Sequence, residues 1–537
     1  MSIIDTLSTD PAQGGVRLWF RQPTPSTLTV AVSAFVMATA NLAFFGRLVA
    51  IYPFADHPGF VVSTFCLQVA LLAFLLAPAQ LFGLTRPLLA LVLLVAAPVA
   101  FFQDRLGIVI EEGILRSILA TDSREALDLM SLELVVRTVL LGVVPAWLLF
   151  RLPRSRRSLA RSAGATAVLM GAAALVMIVC VLGYSSTYTN LIREHKIVRY
   201  YSNPLGTIVA VVGTLADEVR NSRSVAHTQI ATDAELVPAA RPRLVVMVLG
   251  ETARAGNLSL NGYERETNPR LEQRELFSFR HVASCATETA QSVPCLFSLL
   301  GRSDFSVDAA ANQDNLLDVL KRAGVNVLWR DNNSDSKQVA LRVPFEDYRF
   351  PANNPECAEE CRDVGMLDGL DEHVNGDTLI VLHQMGSHGP AYYKRYPAEF
   401  EVFKPACKTN ELSQCSRESI VNAYDNTILY TDYFLDRVIT FLESKREDYD
   451  VAMLYVSDHG ESLGEYGVFL HGMPYVMAPE GQTHVPLLLW LGDSFAVDRD
   501  VLRRRIGEPT SHDAVFGTVL KLLGVRAPSL ENLKTIF

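Results

Sequence analysis

The sequence is poor in positive charge, and its first third is poor in charge of either sign. A net charge of -10 argues against a nucleic-acid-binding protein, because binding to a phosphate backbone needs a basic surface. The near absence of charge within the apolar runs before residue 185 argues against their being core helices of a soluble domain. No CxxC pair is present, which disfavours a structural zinc site built from cysteines but leaves that alternative open.

The apolar runs instead predict membrane-spanning helices. The chain has 537 residues, of which 49% are hydrophobic, a share that is high for a purely soluble protein. Five runs are long enough, or nearly so, to cross about 30 Å of hydrocarbon. They lie near residues 26–52, 59–83, 87–102, 132–150 and 164–185. The third is the shortest, so we expect a tilted or partly re-entrant helix there.

Arginines in one loop predict the orientation of these spans. Between the fourth and fifth runs the chain carries uncompensated positive charge, at Arg151, Arg154, Arg156, Arg157 and Arg161. Such loops stay in the cytoplasm. Arg17 and Arg21, before the first run, agree with a cytoplasmic start. An odd number of spans then exports everything after residue 185.

The cysteines support an exported C-terminal part. Two of the eight, Cys66 and Cys180, fall in predicted spans. The other six form near-neighbour pairs in the exported part, Cys285 with Cys295, Cys357 with Cys361, and Cys407 with Cys415. Local pairs of this kind predict disulfides in an oxidising compartment.

The composition divides the chain into three parts. We expect a membrane domain with five transmembrane helices over residues 1–185, a bridging helix and linker over 186–240, and a catalytic domain over 241–537. The bridge mixes basic and aromatic residues at 192–201, which suits a membrane interface. An ordinary solvated helix explains the same residues equally well.

The third part alternates strand-like and helix-like segments, which predicts an α/β domain with a largely parallel sheet. Helical spacing recurs at 314–323, before Gly324, and along 422–444, where the apolar stripe is typical of a core face. Strand candidates are 243–249, 325–330, 377–383, 450–457 and 485–491.

Two strand candidates end in residues that bind metals. Glu251 follows the first of them, and Asp458 and His459 follow the fourth. Ligands gather beyond the carboxyl ends of strands in open α/β sheets, and a catalytic zinc needs about three protein ligands. Each residue alone would more often be a surface or capping group. Their shared placement favours a metal site.

A hydroxyl-rich turn, Ser284–Cys295, supplies the candidate nucleophile. Thr289 opens a possible helix there, and the positive end of a helix stabilises an anion, as a metal ion also does. A simple capping role for Thr287 or Thr289 is the alternative. Further candidates offer donors to phosphate oxygens, or a second metal site, at Asn333, Lys337, His388 and His471. We expect structural roles for His383, His484 and His512.

Four segments resemble those of lipid A phosphoethanolamine transferases, including the mobile colistin-resistance enzymes. They are Ser284–Ser298, Trp329–Lys337, His383–Pro390 and Ser457–Glu465. The likeness extends over nearly the whole chain, including five spans and three cysteine pairs. Ala286 and Ser117 stand where a glycine and an asparagine are common in the family.

The resemblance implies an α-helical membrane domain plus an α/β alkaline-phosphatase/sulfatase-like catalytic domain, with Thr289 as nucleophile. It implies one zinc ion, or two, with Glu251, Thr289, Asp458 and His459 around the first. Residues that would handle phosphoethanolamine or a second zinc are Thr287, Asn333, Lys337, His388, Glu461 and His471. Lipid head-group contacts would come from Ser117, Thr121 and Glu125.

The function implied is transfer of phosphoethanolamine from phosphatidylethanolamine to a lipid A phosphate through a covalent threonine intermediate. The enzyme would lie in the bacterial inner membrane with its catalytic domain in the periplasm. Its product would lower the negative charge of the outer membrane and give polymyxin resistance. Alternatives are a phosphoethanolamine or phosphoglycerol transferase acting on another envelope glycan, a sulfatase-like hydrolase, or a non-catalytic membrane sensor.

Overall fold

The computed structural model describes residues 22–120, 123–153, 158–221 and 227–537. The chain forms two compact units. The first comprises residues up to Ala40 together with Leu48–Ala97 and Arg137–Leu191. The second comprises Asn41–Arg47, Pro98–Val136 and Ile192–Phe537. Arg17, Arg21, Arg154, Arg156 and Arg157, on which the predicted orientation partly rests, lie outside the described residues.

The apolar runs form helices. Four of those described are long and apolar enough to cross a membrane, Pro58–Gln80, Thr85–Leu106, Leu132–Arg151 and Leu159–Gly183. The third predicted run, expected to be short, is part of the 22-residue helix Thr85–Leu106, which continues through Pro98.

The first predicted run is a bent pair of helices, Pro25–Thr39 and Leu42–Ile51, which meet at 63°. The described chain therefore has four such helices, or five if the bent pair is one span. The break lies at Asn41, whose side-chain amide exchanges two hydrogen bonds with the backbone of Asn203, at 2.6 and 2.8 Å. A buried polar side chain needs such partners, and apolar periodicity does not reveal them.

Shorter helices join these runs to the sheet domain. Two lie between the second and third apolar helices, and three follow the last. Their bounds are Glu112–Ala120, Ser123–Asp128, Ser185–Glu194, Lys196–Tyr200 and Leu205–Asn221. The predicted bridge is therefore largely helical as far as Asn221.

An eight-stranded mixed sheet forms the centre of the C-terminal part. In chain order its strands are β1 Arg243–Gly250, β2 Leu276–Ala283, β3 Asn326–Asp331, β4 Phe345–Asp347, β5 Thr378–His383, β6 Asp450–Ser457, β7 His484–Leu491 and β8 Thr510–Ser511. Their order across the sheet is β8-β2-β7-β6-β1-β5-β3-β4. Strand β7 runs antiparallel to both of its neighbours, β2 and β6. Two-stranded pairs also form between Glu235–Leu236 and Val525–Arg526, and between Ser462–Leu463 and Phe469–Leu470.

The five predicted strands are present, but β2 was not predicted. Its sequence, LFSFRHVA, places Ser278, Arg280 and His281 among apolar residues, so the alternation is weak. Strands β4 and β8 have only three and two residues, too few to show a pattern.

Helices cover both faces of the sheet. Successive residues of β1 point to opposite faces, and each set enters a separate core: Met247 packs with Leu320 and Phe516, and Val246 packs on the other side. The second core contains the apolar stripe of the 27-residue helix Arg417–Glu443. The remaining helices of this domain are Thr289–Leu296, Gly301–Asp304, Val307–Ala311, Leu316–Arg322, Glu480–Thr483, Arg499–Arg505 and Val515–Leu522.

Removing a central core side chain should destabilise the protein. Leu454, in β6, is fully buried, so Leu454→Ala should cost about 2–5 kcal/mol of folding free energy through lost burial and the cavity left behind. Thermal unfolding of the full chain in detergent should show a clearly lower midpoint. The control is Leu341→Ala at a side chain that is 67% exposed. Equal midpoints for the two variants would contradict the assignment of β6 to the core.

Candidate active site

The pairing of β1 with β6 brings three metal-binding side chains together. Gly250 lies opposite Ser457 in this parallel ladder, so Glu251 and Asp458 leave the same edge of the sheet side by side. Ligand atoms of Glu251, Asp458 and His459 all lie within 4.8 Å of one another, and all three residues are buried. The strand ends thus form the three-residue cluster that their sequence positions predicted.

The hydrogen bonds of His459 leave one ring nitrogen facing the carboxylates. Its Nδ1 lies 2.9 Å from the carbonyl oxygen of Gly460, which can only accept, so Nδ1 carries the proton. Burial, above all, lowers the pKa of His459 to about 4, so the ring is neutral and Nε2 has a free lone pair. That nitrogen lies 3.3 Å from Oδ2 of Asp458 and 3.4 Å from Oε1 of Glu251.

This arrangement fits a metal ion. Oδ2 of Asp458 is buried and accepts no hydrogen bond from any described residue. A buried carboxylate oxygen facing a histidine lone pair is unfavourable without a cation between them. One nitrogen and two carboxylate ligands form a donor set that zinc accepts. The hydrogen bond from Nδ1 to a backbone carbonyl is the support usual for a metal-binding histidine.

Thr289 lies at the same point. Its hydroxyl oxygen is 3.2 and 3.4 Å from the two carboxylate oxygens of Glu251 and 3.2 Å from Nε2 of His459. The residue begins the helix Thr289–Leu296, so the positive end of the helix dipole meets any negative charge that develops on the oxygen. The hydroxyl is therefore placed beside the metal cluster, as expected of a nucleophile.

The Cys285–Cys295 disulfide ties the turn before Thr289 to the helix that Thr289 begins. The helix is held to the end of β6 by Ser292, which donates its hydroxyl to the carbonyl of Asp458. His512 joins both sides, since its Nδ1 accepts from the amide of Cys285 at 3.1 Å and its Nε2 lies 3.0 Å from the carbonyl of Ser457. Burial lowers the pKa of His512 to about 4. His512 thus has a structural role, because it ties the turn before Thr289 to the end of β6.

The disulfide of the nucleophile turn is one of three. Cys357–Cys361 and Cys407–Cys415 are also bonded, so each of the three predicted pairs is formed. Among the described residues Cys66 and Cys180 are free.

Asn333 orients Glu251. Its side-chain amide donates to Oε2 of Glu251 and to the carbonyl of Gln384, both at 2.8 Å. The backbone amide of Asn333 donates to Asp331, whose other oxygen bonds the Nδ1 of buried His383 at 2.8 Å. Asn333 therefore belongs to the support of the metal cluster, and His383 fixes the strand end behind it.

A second group of titratable side chains lies beside the cluster. The ring centroid of His471 is 4.5 Å from that of His459 and 5.5 Å from that of His388, and its Nδ1 is 3.3 Å from a carboxylate oxygen of Glu461. Burial raises the pKa of Glu461 and holds the pKa of His388 well below its usual range. The neutral ring of His388 can donate one N–H to an anionic oxygen.

A cleft opens over Thr289. Both polar and apolar side chains line it. They are Ser117, Thr289, Ser334, Lys337, His388 and His471, with Phe102, Ile108, Ile110, Ile114, Ile118, Leu129 and Leu470. Such a mixture suits a ligand with a charged head and an apolar tail.

Of the predicted substrate contacts, one has another partner and two lie outside the structure described. The Thr287 hydroxyl donates to the carbonyl of Met473 at 2.6 Å, so it holds the loop that carries His471. Thr121 and the side chain of Glu125 lie outside the described residues. Ser117, from the same predicted head-group segment, faces the cleft and bonds to Glu288.

Glu288 is the residue of the site that the sequence did not reveal. It directly precedes Thr289, is buried, and accepts a hydrogen bond from the Ser117 hydroxyl at 2.9 Å. Burial is the main reason that its pKa rises to about 7. A Cβ on Gly113 would lie 2.4 Å from the Oε1 of Glu288, so glycine allows this helix to approach. The sequence feature that could have revealed Glu288 is its position directly before the candidate nucleophile.

The sheet, the cluster at its edge and the helix-borne hydroxyl define a protein with the α/β fold of the alkaline phosphatases and sulfatases. A sequence model of the sulfatase family matches residues 243–525, and one described as phosphoethanolamine transferase EptA/EptB matches residues 68–219. The chain belongs to the phosphoethanolamine transferase family, as its relatives show.

Two relatives illustrate the likeness over the full length. The phosphatidylethanolamine transferase Mcr-2 of Escherichia coli is 41% identical over 540 residues, with 96% of this chain and 98% of that protein covered. The solved structure of the integral membrane lipooligosaccharide phosphoethanolamine transferase A from Neisseria meningitidis has 35% identity and a TM-score of 0.90, with 94% and 96% covered.

A third relative matches the C-terminal part. The C-terminal periplasmic domain of phosphoethanolamine transferase EptC from Campylobacter jejuni has 40% identity and a TM-score of 0.51, covering 57% of this chain and 95% of that domain. With the apolar helices described above, these matches make the chain a multi-pass protein of the bacterial inner membrane with a periplasmic catalytic domain.

Replacing Glu288 should change how stability depends on pH. The unfolded chain releases this proton near its ordinary pKa of 4.5 and the folded chain near 7, so the buried acid costs stability as pH rises between these values. Glu288→Gln should therefore be more stable than wild type at pH 8, by up to about 3 kcal/mol, with a smaller difference at pH 5.

Thermal unfolding of both proteins at the two pH values measures the effect. Glu531→Gln, at an exposed side chain, controls for removing one acid. A difference between Glu288→Gln and wild type that is the same at pH 5 and pH 8 would contradict the raised pKa.

Proposed function

We propose that this enzyme transfers phosphoethanolamine from phosphatidylethanolamine to a phosphate of lipid A through a covalent intermediate on Thr289. The observation that carries the proposal is the position of the Thr289 hydroxyl. It is held between Glu251 and His459, at a helix N-terminus, and faces a cleft lined by both polar and apolar side chains.

In the first step the Thr289 oxygen attacks the phosphorus of the donor. The bond between phosphorus and the diacylglycerol oxygen breaks, and diacylglycerol leaves with one proton. In the second step a lipid A phosphate oxygen attacks the same phosphorus, the bond from phosphorus to the Thr289 oxygen breaks, and that oxygen takes up the proton given up by the attacking phosphate. Lys337, His388 and His471 line the cleft, where their N–H groups can bind the phosphoryl oxygens.

Zinc is the proposed cofactor, with Glu251, Asp458, His459 and Thr289 as its ligands. When bound, it supplies a Lewis acid that lowers the pKa of the threonine hydroxyl and offsets negative charge on the phosphoryl group. The protein's own contribution is to fix the ligands before the reaction, through Asn333 on Glu251 and Gly460 on His459. Glu461, His388 and His471 are candidates for holding a second ion.

The names of the relatives support the choice of substrates. Mcr-2 is described as a phosphatidylethanolamine transferase, and the Neisseria enzyme as acting on lipooligosaccharide. The apolar side chains that line the cleft suit the glycerolipid part of such substrates. A phosphoethanolamine group added to lipid A brings an amine, which would lower the anionic charge of the outer membrane and so weaken binding of cationic polymyxin.

Thr289→Ala should abolish the transfer. Cells that make the wild-type protein should show lipid A with an added phosphoethanolamine group by mass spectrometry, and cells that make Thr289→Ala should not. Thr289→Ser keeps a hydroxyl and should retain part of the activity, which controls for folding. No adduct with the wild type would reject the function, and an adduct that survives Thr289→Ala would reject the nucleophile.

The same experiment tests another acceptor. A relative from Salmonella typhimurium, 27% identical over 493 residues, is described as a Kdo(2)-lipid A phosphoethanolamine 7''-transferase. Fragmentation of the modified lipid shows whether the group lies on a lipid A phosphate or on a core sugar. An adduct on the sugar alone would replace the proposed acceptor and keep the reaction.

Zinc affinity should fall in a graded way. Asn333→Ala removes the donor that orients Glu251 and should weaken binding about 10–100-fold, while Asp458→Asn, which removes a ligand, should weaken it further. Calorimetric titration of zinc into metal-free full chain in detergent measures both. The control is His484→Ala, at a histidine outside the three-residue cluster, whose ring bonds the carbonyl of Arg280. Unchanged affinity in Asp458→Asn would exclude this site.

A further inference from the structure

Three side chains hold the end of the short helix Ser123–Asp128. The Asp128 carboxylate lies 2.6 Å from Nζ of Lys394 and 2.5 Å from Nη2 of Arg395. Asn410 donates its side-chain amide to the carbonyls of Asp128 and Met130, each at 2.8 Å. Charge and backbone contacts therefore fix the same three residues, 128–130.

The contact is buried where its charges meet. Asp128 and Arg395 are 7% and 5% exposed, so the pair is little screened by solvent. Removing one partner of a buried ion pair leaves an uncompensated charge and is strongly unfavourable. The carboxylate of Asp128 is thus a strong constraint on where this segment lies.

The segment forms part of the wall of the active-site cleft. Leu129, next to Asp128, lines the cleft over Thr289 together with Ile114 and Ile118 of the preceding helix. The side chain of Leu129 therefore adds to the apolar lining of the cleft, where the proposed function places the lipid.

Arg395 also contacts the loop of His388, another residue that lines the cleft, through bonds that do not involve Asp128. Its Nε donates to the carbonyl of His388 at 2.8 Å, and its Nη1 to both oxygens of Glu360 at 2.6 and 2.7 Å. When Asp128 is replaced, Arg395 keeps these three bonds. The loop of His388 should then stay in place while segment 123–130 is released.

The third disulfide constrains the loop that carries Asn410. Cys407–Cys415 closes this loop and so limits the conformations of the backbone that presents the Asn410 amide. Because the Asn410 amide donates to two backbone carbonyls, this contact depends on the backbone conformation of residues 128–130 and not on the identity of a side chain.

We propose that Asp128 and Asn410 are positioning residues that hold residues 128–130, and with them Leu129, in the apolar lining of the lipid-binding cleft. They set the KM for the lipid donor and leave the reactivity of Thr289 unchanged. This inference rests on the proposed transferase function. It assigns a role to residues that contact neither the metal cluster nor the reacting phosphoryl group.

The test compares a lipid substrate with a soluble one. Full-length wild type, Asp128→Asn, Asp128→Ala and Asn410→Ala are assayed in detergent micelles. One assay measures cleavage of phosphatidylethanolamine, and the other measures cleavage of the water-soluble diester p-nitrophenyl phosphoethanolamine. The control is Glu133→Gln, which breaks the more exposed ion pair with Arg105 in the same part of the chain. Thermal unfolding of each variant reports folding.

Both Asp128→Ala and Asn410→Ala should raise the KM for the lipid about tenfold or more, since small displacements of positioning groups have effects of this size. Asp128→Asn should be intermediate, because an amide oxygen can still accept one hydrogen bond. Cleavage of the soluble diester should stay within about twofold of wild type, as should both activities of Glu133→Gln.

Other outcomes would overturn the inference in distinct ways. Equal losses on both substrates would show that these residues support the whole active site. Unchanged lipid KM in Asn410→Ala, the variant that leaves no buried charge behind, would show that the segment needs no such contact. A wild-type protein that cleaves the soluble diester but not phosphatidylethanolamine would instead reject the proposed function.

Discussion

The parallel pairing of β1 with β6 is the constraint on which the site depends. Because Gly250 lies opposite Ser457, the residues that follow them are adjacent whatever their side chains are. A shift of one residue in the register of either strand would reverse the faces to which its side chains point, and would separate Glu251 from Asp458. The fully apolar residues along both strands prevent such a slip, since each side has its own buried cluster. The apolar core thus sets the position of the acidic site.

Burying several carboxylates at one edge of the sheet is electrostatically unfavourable. Neighbouring hydrogen-bond donors offset part of this cost. Backbone and amide donors satisfy some of the carboxylate oxygens, as Asn333 does for Glu251 and the His459 amide does for Asp458. One oxygen of Asp458 has no such donor among the described residues. A site that is polar, buried and only partly satisfied is stable when a cation completes it. The arrangement of buried carboxylates at this edge of the sheet is therefore that of a metal-binding site.

Much of this could be predicted from sequence because the signals are local. Apolar runs of five to eight residues that end in Glu251 or Asp458 identify both the strand and the point where it ends. The family resemblance predicts that Thr289 lies beside the metal cluster, but it does not predict the hydrogen bonds of the Thr289 hydroxyl. The break at Asn41 and the contact of Asp128 with Arg395 depend on residues 162 and 267 positions away, which no periodicity encodes. Strand β2 was missed because its polar residues weaken the alternation.

The position of Glu288 connects the nucleophile to the segment that lines the cleft. Its carboxyl group precedes Thr289 in the chain, yet its hydrogen bond goes to Ser117, and Asp128 is fixed by a separate set of contacts to Arg395 and Asn410. The two ends of the region 117–128 are thus held independently, one by the nucleophile turn and one by the loops around His388 and Cys407. Two separated attachments fix orientation as well as distance, which one contact cannot do. If the cleft binds the lipid donor as proposed, part of its lining is already held in place, so less ordering remains to be done on binding.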